Sequence, residues 1–191
     1  MKNNMDVGHM TMRVQNKDDL YYDAMEVLNQ GNYKHAEELL LKAKDMDQDY
    51  VQTYIGLVSV YVRPNMKEKR EESIKNAFEK TQNKFPRWPK RMEWVVLENR
   101  AYLRAIQYRA DLYWDIGKFE DADKLFRLLL KLNHNDNQGV RYEISSLYAG
   151  ISGKELNKMF DECNKKQNWD KLEKLVETQN KLHKFWNKPR E

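Results

Sequence analysis

The residue types that most often carry out chemistry are few in this chain and lie far apart. None of the four histidines has a second histidine or a cysteine three or four residues away, the spacing that zinc sites commonly use; they are His9, His35, His134 and His183. The single cysteine, Cys163, stands in a stretch rich in Lys and Asn. A reactive thiol needs a neighbouring base and an electropositive, accessible setting. We therefore expect a semi-buried, unreactive thiol, no metal site, no cofactor and no enzymatic activity.

One short segment superficially resembles a phosphate-binding loop. Residues 150–155 read GISGKE, with Gly-Lys in the order that such a loop requires. Tyr148 stands where the loop needs its first glycine, and Glu155 stands where it needs Ser or Thr. Ser152 and Glu155 have the spacing of a capping box instead. The segment therefore predicts a turn followed by the start of a helix.

Composition favours a soluble helical protein. Of the 191 residues, 34% are charged and 40% are hydrophobic, and seven Gly and four Pro are too few for frequent strand-connecting turns. No apolar run reaches the 18 or so residues that cross a membrane, and the amino-terminal residues lack the apolar core of a secretion signal. A single cysteine is typical of a reducing compartment. We expect a cytoplasmic protein without a membrane partner.

Two segments share one pattern of apolar and small residues at a constant offset of 86 positions. Small residues let two helices approach closely, a glycine ends the first helix, and the large residues form a stripe for burial. The pattern therefore predicts helix–turn–helix units. The first segment has Leu20, Ala24, Val27, Gly31, Tyr33, Ala36, Leu40 and Ala43, and the second has Ile106, Ala110, Tyr113, Gly117, Phe119, Ala122, Phe126 and Leu129.

This pattern resembles the tetratricopeptide repeat (TPR), a helix–turn–helix unit of about 34 residues. The resemblance implies an all-α fold, an α–α superhelix of four helix pairs with a capping helix that covers the open end. We expect residues 1–16 to form a tail and residues 17–168 to form the array. Its units are expected near 17–50, 51–84, 103–136 and 137–168, with an insertion at 85–102, a capping helix at 169–188 and a tail at 189–191.

A narrower resemblance involves two shorter segments. Residues 98–105 (ENRAYLRA) and 132–141 (LNHNDNQGVR) are similar to segments of a group of largely uncharacterised prokaryotic TPR proteins. Those proteins usually have Pro at the positions of Ala101 and His134, a difference that affects helix entry rather than chemistry. This resemblance implies no enzymatic activity.

In TPR proteins a fixed set of first-helix positions lines a concave groove that binds a protein or peptide. Arg, Tyr and Trp at such positions are the anchors that interfaces favour. Tyr21 and Met25 replace the Lys and Asn of the carboxylate clamp that grips chaperone tails, so that narrower function is not expected. The resemblance places in the groove Tyr21, Met25, Asn29, Arg104, Gln107, Asp111, Trp114, Asp115, Gln138, Arg141, Ser145 and Tyr148.

Two arginines in this set have an alternative role. Arg104 and Arg141 could instead stabilise the fold by pairing with Asp111, with Glu143 or with the turn at 135–137, because a guanidinium group offers a fork of donors. Both interpretations stay open at the level of sequence.

A basic region suggests a second class of function. Residues 63–91 contain ten basic and four acidic side chains, whereas residues 17–50 contain four basic and nine acidic ones. Aromatic rings beside cationic residues can bind single-stranded nucleic acid by base stacking, and Phe85 and Trp88 lie in this region. A solvated helix face explains the same charges. The candidate patch consists of Lys84, Arg87, Lys90 and Arg91. No known nucleic-acid-binding motif accompanies it, so we expect a scaffold that binds a protein or peptide, with nucleic-acid binding as the alternative.

Overall fold

A computed structural model describes residues 15–187, and this range is helical throughout its folded elements, without a strand. The predicted all-α class is thereby confirmed for the described range. The expected tails lie outside it, apart from positions 15 and 16. The helices are α1 (Lys17–Asn29), α2 (Tyr33–Met46), α3 (Val51–Val60), α4 (Lys67–Lys84), α5 (Leu97–Asp115), α6 (Phe119–Leu132), α7 (Val140–Tyr148), α8 (Gly153–Lys166) and α9 (Asp170–His183), with a short 3₁₀ turn at Pro64–Met66.

Two helices begin with complete capping boxes. The Asn16 side chain accepts hydrogen bonds from the backbone of Asp18 and Asp19, and the Asp19 carboxylate accepts one from the Asn16 amide at 3.1 Å. At α8, the Glu155 carboxylate accepts from the Ser152 amide at 2.9 Å, and Ser152 Oγ accepts from the Glu155 amide. Each cap stabilises its helix by about 1 kcal/mol. Residues 150–155 are thus a turn and a helix start, as their spacing predicted.

Three glycines end the first helix of a closely connected pair. Gly31, Gly117 and Gly150 adopt φ values of 81°, 78° and 69°, in the left-handed region that glycine enters without steric cost. They lie between α1 and α2, between α5 and α6, and between α7 and α8. Because each connection is short, the second helix folds back onto the first.

The predicted close contacts between paired helices are fully enclosed. Ala24 and Ala36 between α1 and α2 have no solvent exposure, and neither do Ala110 and Ala122 between α5 and α6. A methyl side chain leaves room for the backbones to approach, whereas a larger one would push them apart. The sequence pattern and the packing agree at all four positions.

Each helix packs against the next from α1 to α8, and a second set of contacts joins alternate helices. Helix α3 contacts both α1 and α5, while α9 packs against α7. Helices α1, α3 and α5 therefore lie side by side, and α9 packs against α7.

The connection between α4 and α5 is anchored to the core. The Met92 side chain is 2% exposed, and its backbone amide donates to the Leu132 carbonyl at 2.8 Å. Helix α5 begins at Leu97, so the insertion predicted for 85–102 ends six residues earlier than expected. The reason is that Ala101 and Ala105 are buried against α3 and α4, which extends the amphipathic face of α5 toward its amino terminus.

Helix α9 is shorter than the predicted 169–188. It ends at His183 because Lys184 turns the chain with a φ of 47°. Leu172 and Val176 bury the helix against the core, and Phe185 adds a buried ring beyond the helix end. The apolar face that a capping helix needs is present only in part, because Leu182 is 70% exposed and Phe185 belongs to the segment that follows the helix.

Candidate functional site

Five of the predicted groove residues define what we call the first-helix face: Tyr21, Met25, Arg104, Gln107 and Gln138. Burial raises the pKa of Tyr21, and the charge of Arg104 counteracts this rise, so the positive charge on α5 acts on Tyr21 of α1. The Met25 methyl group lies beside Gly56 of α3. The face therefore spans the first three of the side-by-side helices.

An amide chain extends this face to α7. Gln138 donates to the Gln107 side-chain oxygen at 2.7 Å, and Gln107 donates to the Glu143 carboxylate at 2.8 Å. Gln138 Oε1 and the second Glu143 oxygen are enclosed and have no hydrogen-bond partner among residues 15–187. The chain holds Gln107 and Gln138 in fixed positions, and it leaves beside them two enclosed oxygen atoms without a partner in the described range.

Arg104 is the cationic residue of the first-helix face. Its guanidinium lies 5.3 Å from the centre of the Trp94 ring, and Arg100, one turn earlier on α5, lies 5.2 Å from the same ring. Arg104 is half-buried and has no hydrogen bond or ion pair with any described residue. The pairing with Asp111, Glu143 or the 135–137 turn that the sequence allowed does not occur for Arg104. A held guanidinium with unused donors suits recognition of a carboxylate or carbonyl group.

Arg141 behaves in the opposite way. Its guanidinium donates to Asp136 at 2.9 Å, to Glu173 at 3.3 Å and to the Tyr142 hydroxyl at 2.6 Å. Burial raises the pKa of Asp136, while the bonds from Arg141 oppose that rise. Arg141 therefore ties the turn before α7 to α9, and the structural role that the sequence left open is the one it occupies.

Trp114 and Tyr148 also serve the fold rather than an open surface. Trp114 is 8% exposed and contacts Phe126 edge-on, with ring centres 6.1 Å apart. Tyr148 receives a hydrogen bond from Arg127 at 2.6 Å and stacks on the His183 ring at 3.9 Å. Because Trp114 is enclosed and the half-buried Tyr148 ring is engaged by Arg127 and His183, neither ring offers the anchor that the groove prediction assigned to it.

The remaining groove positions occupy different environments. Asn29 is exposed at the end of α1, whereas Ser145 is enclosed and donates to the Arg141 carbonyl at 2.6 Å. Asp111 and Asp115 share a region with Arg70 of α4. Burial raises the pKa of Asp111 to about 7, with a further contribution from Asp115, and Arg70 lowers it.

Glu143 belongs to the same cluster. Its pKa lies well above the usual range, first because of burial and second because of the charge of Asp111. Two half-buried carboxyl groups whose charges interact cannot both ionise without a cost, so each favours the protonated form of the other. These groups affect stability through pH, and they offer a hydrogen-bond donor at neutral pH rather than a pair of negative charges.

The basic patch is exposed, but its aromatic neighbours are not free. Lys84, Arg87, Lys90 and Arg91 are all exposed and form no ion pair with another described residue. The rings of Phe85 and Trp88 stack on each other with centres 6.4 Å apart, and Phe85 also meets Tyr102 edge-on. Since both rings pack against the core, the base-stacking surface proposed for nucleic acid is largely occupied.

Sequence reasoning missed Trp94, the ring that holds Arg100 and Arg104, two of the three arginines of α5. A signal was present, because Arg100 and Arg104 are four residues apart and so share one face of the helix. The position of Trp94 could not be deduced, since the course of the 85–96 connection depends on the bond between Met92 and Leu132.

Neither a metal-ligand cluster nor a known relative points to a chemical function. Over residues 15–187, no group of three or more His, Cys, Asp or Glu side chains could hold a metal ion, and no helix is long and apolar enough to cross a membrane. Cys163 is 6% exposed. Comparison of the chain with protein-family models, with curated proteins and with solved structures finds no match. Function therefore has to follow from the geometry of the chain's own residues.

Proposed function

We propose that this chain is a non-catalytic TPR-type scaffold that binds a protein or peptide segment on its first-helix face. Three helix pairs turn at a left-handed glycine, and the enclosed alanines recur at the positions that the repeat requires. The side-by-side contacts among α1, α3 and α5 support a continuous surface on that side of the array. These features favour the superhelical arrangement that the resemblance to TPR proteins implies.

The observation that carries the proposal is Arg104. It is held on the Trp94 ring, its charge acts on Tyr21, and it uses none of its donors on a described residue. A guanidinium that is positioned in advance loses little entropy when it binds an acceptor, which is why arginine recurs among the residues that dominate binding energy. Gln107, about one turn away, and Gln138, just before α7, supply a neighbouring polar surface of fixed geometry.

A binding experiment can test the proposal with peptides that the chain itself selects. Peptides are selected from a random library on the immobilised chain, and their affinities are measured by titration calorimetry. Arg104→Gln should weaken the selected peptides by about 1–4 kcal/mol, the range of interface anchors. Lys131→Gln, an exposed change on α6, is the matched control and should leave affinity unchanged.

Two further measurements make the result decisive. Melting temperatures of the two variants establish that the fold is intact, because Arg104 also contacts Trp94. A second variant, Tyr21→Ala, tests whether α1 contributes to the same surface. Peptides that bind the wild type and both first-helix variants equally well would refute the proposal.

A further inference from the structure

The two segments that resemble those of prokaryotic TPR proteins meet at one cavity. It has a volume of about 370 Å³ and lies between the 91–95 segment, the first turn of α5 and the turn that follows α6. Arg100 comes from the first segment, and Asn133, Asn135 and Asn137 come from the second. The cavity is separate from the first-helix face, although Trp94 forms part of its wall.

The walls of this cavity are fixed by hydrogen bonds. The Met92 amide donates to the Leu132 carbonyl at 2.8 Å, and Arg100 Nε donates to the Trp94 carbonyl at 2.9 Å. On the other side, the Trp186 indole donates to the His134 carbonyl at 3.2 Å. A cavity held in this way exists before a ligand arrives, so binding costs little reorganisation.

The cavity carries more positive than negative charge. Arg91 and Arg100 line it together with one carboxylate, that of Glu93. Arg100 commits only its Nε, since its two terminal nitrogens have no hydrogen-bond partner in the range 15–187. Glu93 forms no ion pair with either arginine in this part of the chain. Two guanidinium groups therefore remain available to an acceptor.

Asn133 lies in the cavity wall with its amide nitrogen enclosed. The residue is 4% exposed, it lines the cavity, and its Nδ2 has no hydrogen-bond partner in the described part of the chain. An enclosed amide nitrogen without a partner costs about 1–3 kcal/mol, and such groups in native structures usually serve a ligand, an ion or a water molecule. Asn135 and Asn137 provide further amides at the rim of the cavity.

We propose that this cavity binds an oxyanion, the carboxylate or phosphate group of a ligand, on the Arg100 terminal nitrogens, and that the enclosed Asn133 side chain rotates to present its amide to the bound group. Arg91 attracts the anion from the rim. Planar guanidinium and amide donors match the oxygen geometry of both groups. The site does not depend on peptide binding at the first-helix face, because its donors come from other residues.

The test uses the full-length chain and two probes, inorganic phosphate and glutarate, each titrated at constant ionic strength against chloride. The signals are the NMR resonances of the Asn133 side-chain amide and of Arg100 Nε–H. We expect saturable shifts with at least one probe, and chloride should give none. Shifts with phosphate but not with glutarate would identify a phosphoryl ligand. Shifts with glutarate but not with phosphate would identify an acidic side chain or a small acid.

Variants test whether the probes bind at this cavity or are only attracted to positive charge in general. Arg100→Gln should weaken the bound probe at least about tenfold, because it removes a charged donor. Arg91→Gln should weaken it about two- to fivefold, as expected for an exposed charge. Arg87→Gln is the matched control, an exposed basic change in the same connection that does not line the cavity.

A further variant covers the case in which Arg100→Gln disturbs Trp94. Asn133→Asp keeps the shape of the side chain and places a negative charge in the cavity, so it should abolish binding of both probes. The proposal is overturned if neither probe gives a saturable shift, which would leave ordered water as the partner of Asn133. It is equally overturned if Arg87→Gln weakens binding as much as Arg91→Gln does.

Discussion

Replacing Asp111 with asparagine should stabilise the fold at pH 8 and do so much less at pH 4.5. The Asp111 carboxyl is half-buried on α5, and partial loss of solvent raises its pKa from the usual 3.8 to about 7. A raised pKa means that the folded chain holds this proton more tightly than the unfolded chain does. The stability that protonation confers is therefore complete below about pH 3.8 and is lost as the pH rises through about 7.

The size of the effect follows from that difference in pKa. Each pH unit between the two values corresponds to about 1.4 kcal/mol. The full cost of ionising Asp111 in the folded chain is therefore about 4 kcal/mol at pH 8. Since Asp111 also raises the pKa of Glu143, the two carboxyl groups share part of this cost. Asparagine avoids the charge, so Asp111→Asn should raise the free energy of unfolding by about 2–4 kcal/mol at pH 8.

The assay is urea unfolding at both pH values, followed by circular dichroism. Asp161→Asn is the matched control, since Asp161 is exposed on α8, and it should change stability by less than about 0.5 kcal/mol at either pH. Glu143→Gln completes a double-mutant cycle with Asp111→Asn. Because each carboxyl raises the cost of ionising the other, the double variant should gain less than the sum of the two single changes.

An opposite result would refute the reasoning. The Nε of Arg70 is enclosed without a hydrogen-bond partner in residues 15–187, and its charge lowers the pKa of Asp111. If Asp111 is ionised and held by Arg70, then Asp111→Asn leaves a buried cation unpaired and destabilises the fold at pH 8 by about 3–5 kcal/mol. A loss of stability that grows with pH would establish that ion pair in place of the shared proton.

Three other changes test the architecture and the alternative function. Ala122→Leu should destabilise the fold by about 1–3 kcal/mol through overpacking of α5 against α6, and an unchanged melting temperature would show that these helices do not approach closely. Truncation before Trp169 removes α9 and should expose the core beside α7 and cause aggregation, whereas a soluble, monomeric truncation of equal stability would make α9 a detachable arm. If the patch is only a solvated surface, binding to single-stranded RNA should be negligible, and charge reversal at Lys84, Arg87 and Lys90 should not change it. The nucleic-acid function would be favoured if the chain binds RNA measurably and these changes reduce the affinity. The salt slope should then fall by about 0.7 per lost phosphate contact.

Local features of the fold were readable from the sequence because they depend on neighbours in the chain. Glycine turns, capping boxes and the enclosed alanines follow from spacings of three or four residues, and Gly31, Ala36 and Ser152 adopt the predicted roles. Helical periodicity likewise identified the all-α class. Such signals are strong because they recur with every turn of a helix.

The candidate site was less predictable because its contacts span long distances in sequence. Arg141 binds Glu173, 32 residues later, and nothing in the spacing indicates that partner. Trp114 occupies a position that the repeat assigns to the groove, yet its ring fills the core beside Phe126. Which side of a helix faces the groove depends on crossing angles, and a sequence pattern does not specify those angles.

The single cysteine can report the free energy of local opening of the fold. Cys163 is the single thiol in the sequence, and it is nearly enclosed on α8, whose other buried residue is Leu156. A thiol reagent in excess can react only when α8 lifts from its neighbours, so the rate of labelling, compared with that of an exposed thiol, gives the free energy of this opening. Helix α8 contacts only α7 and α5 to an appreciable extent among the described helices. The labelling rate of Cys163 would therefore measure the opening of one weakly packed helix without any engineered probe.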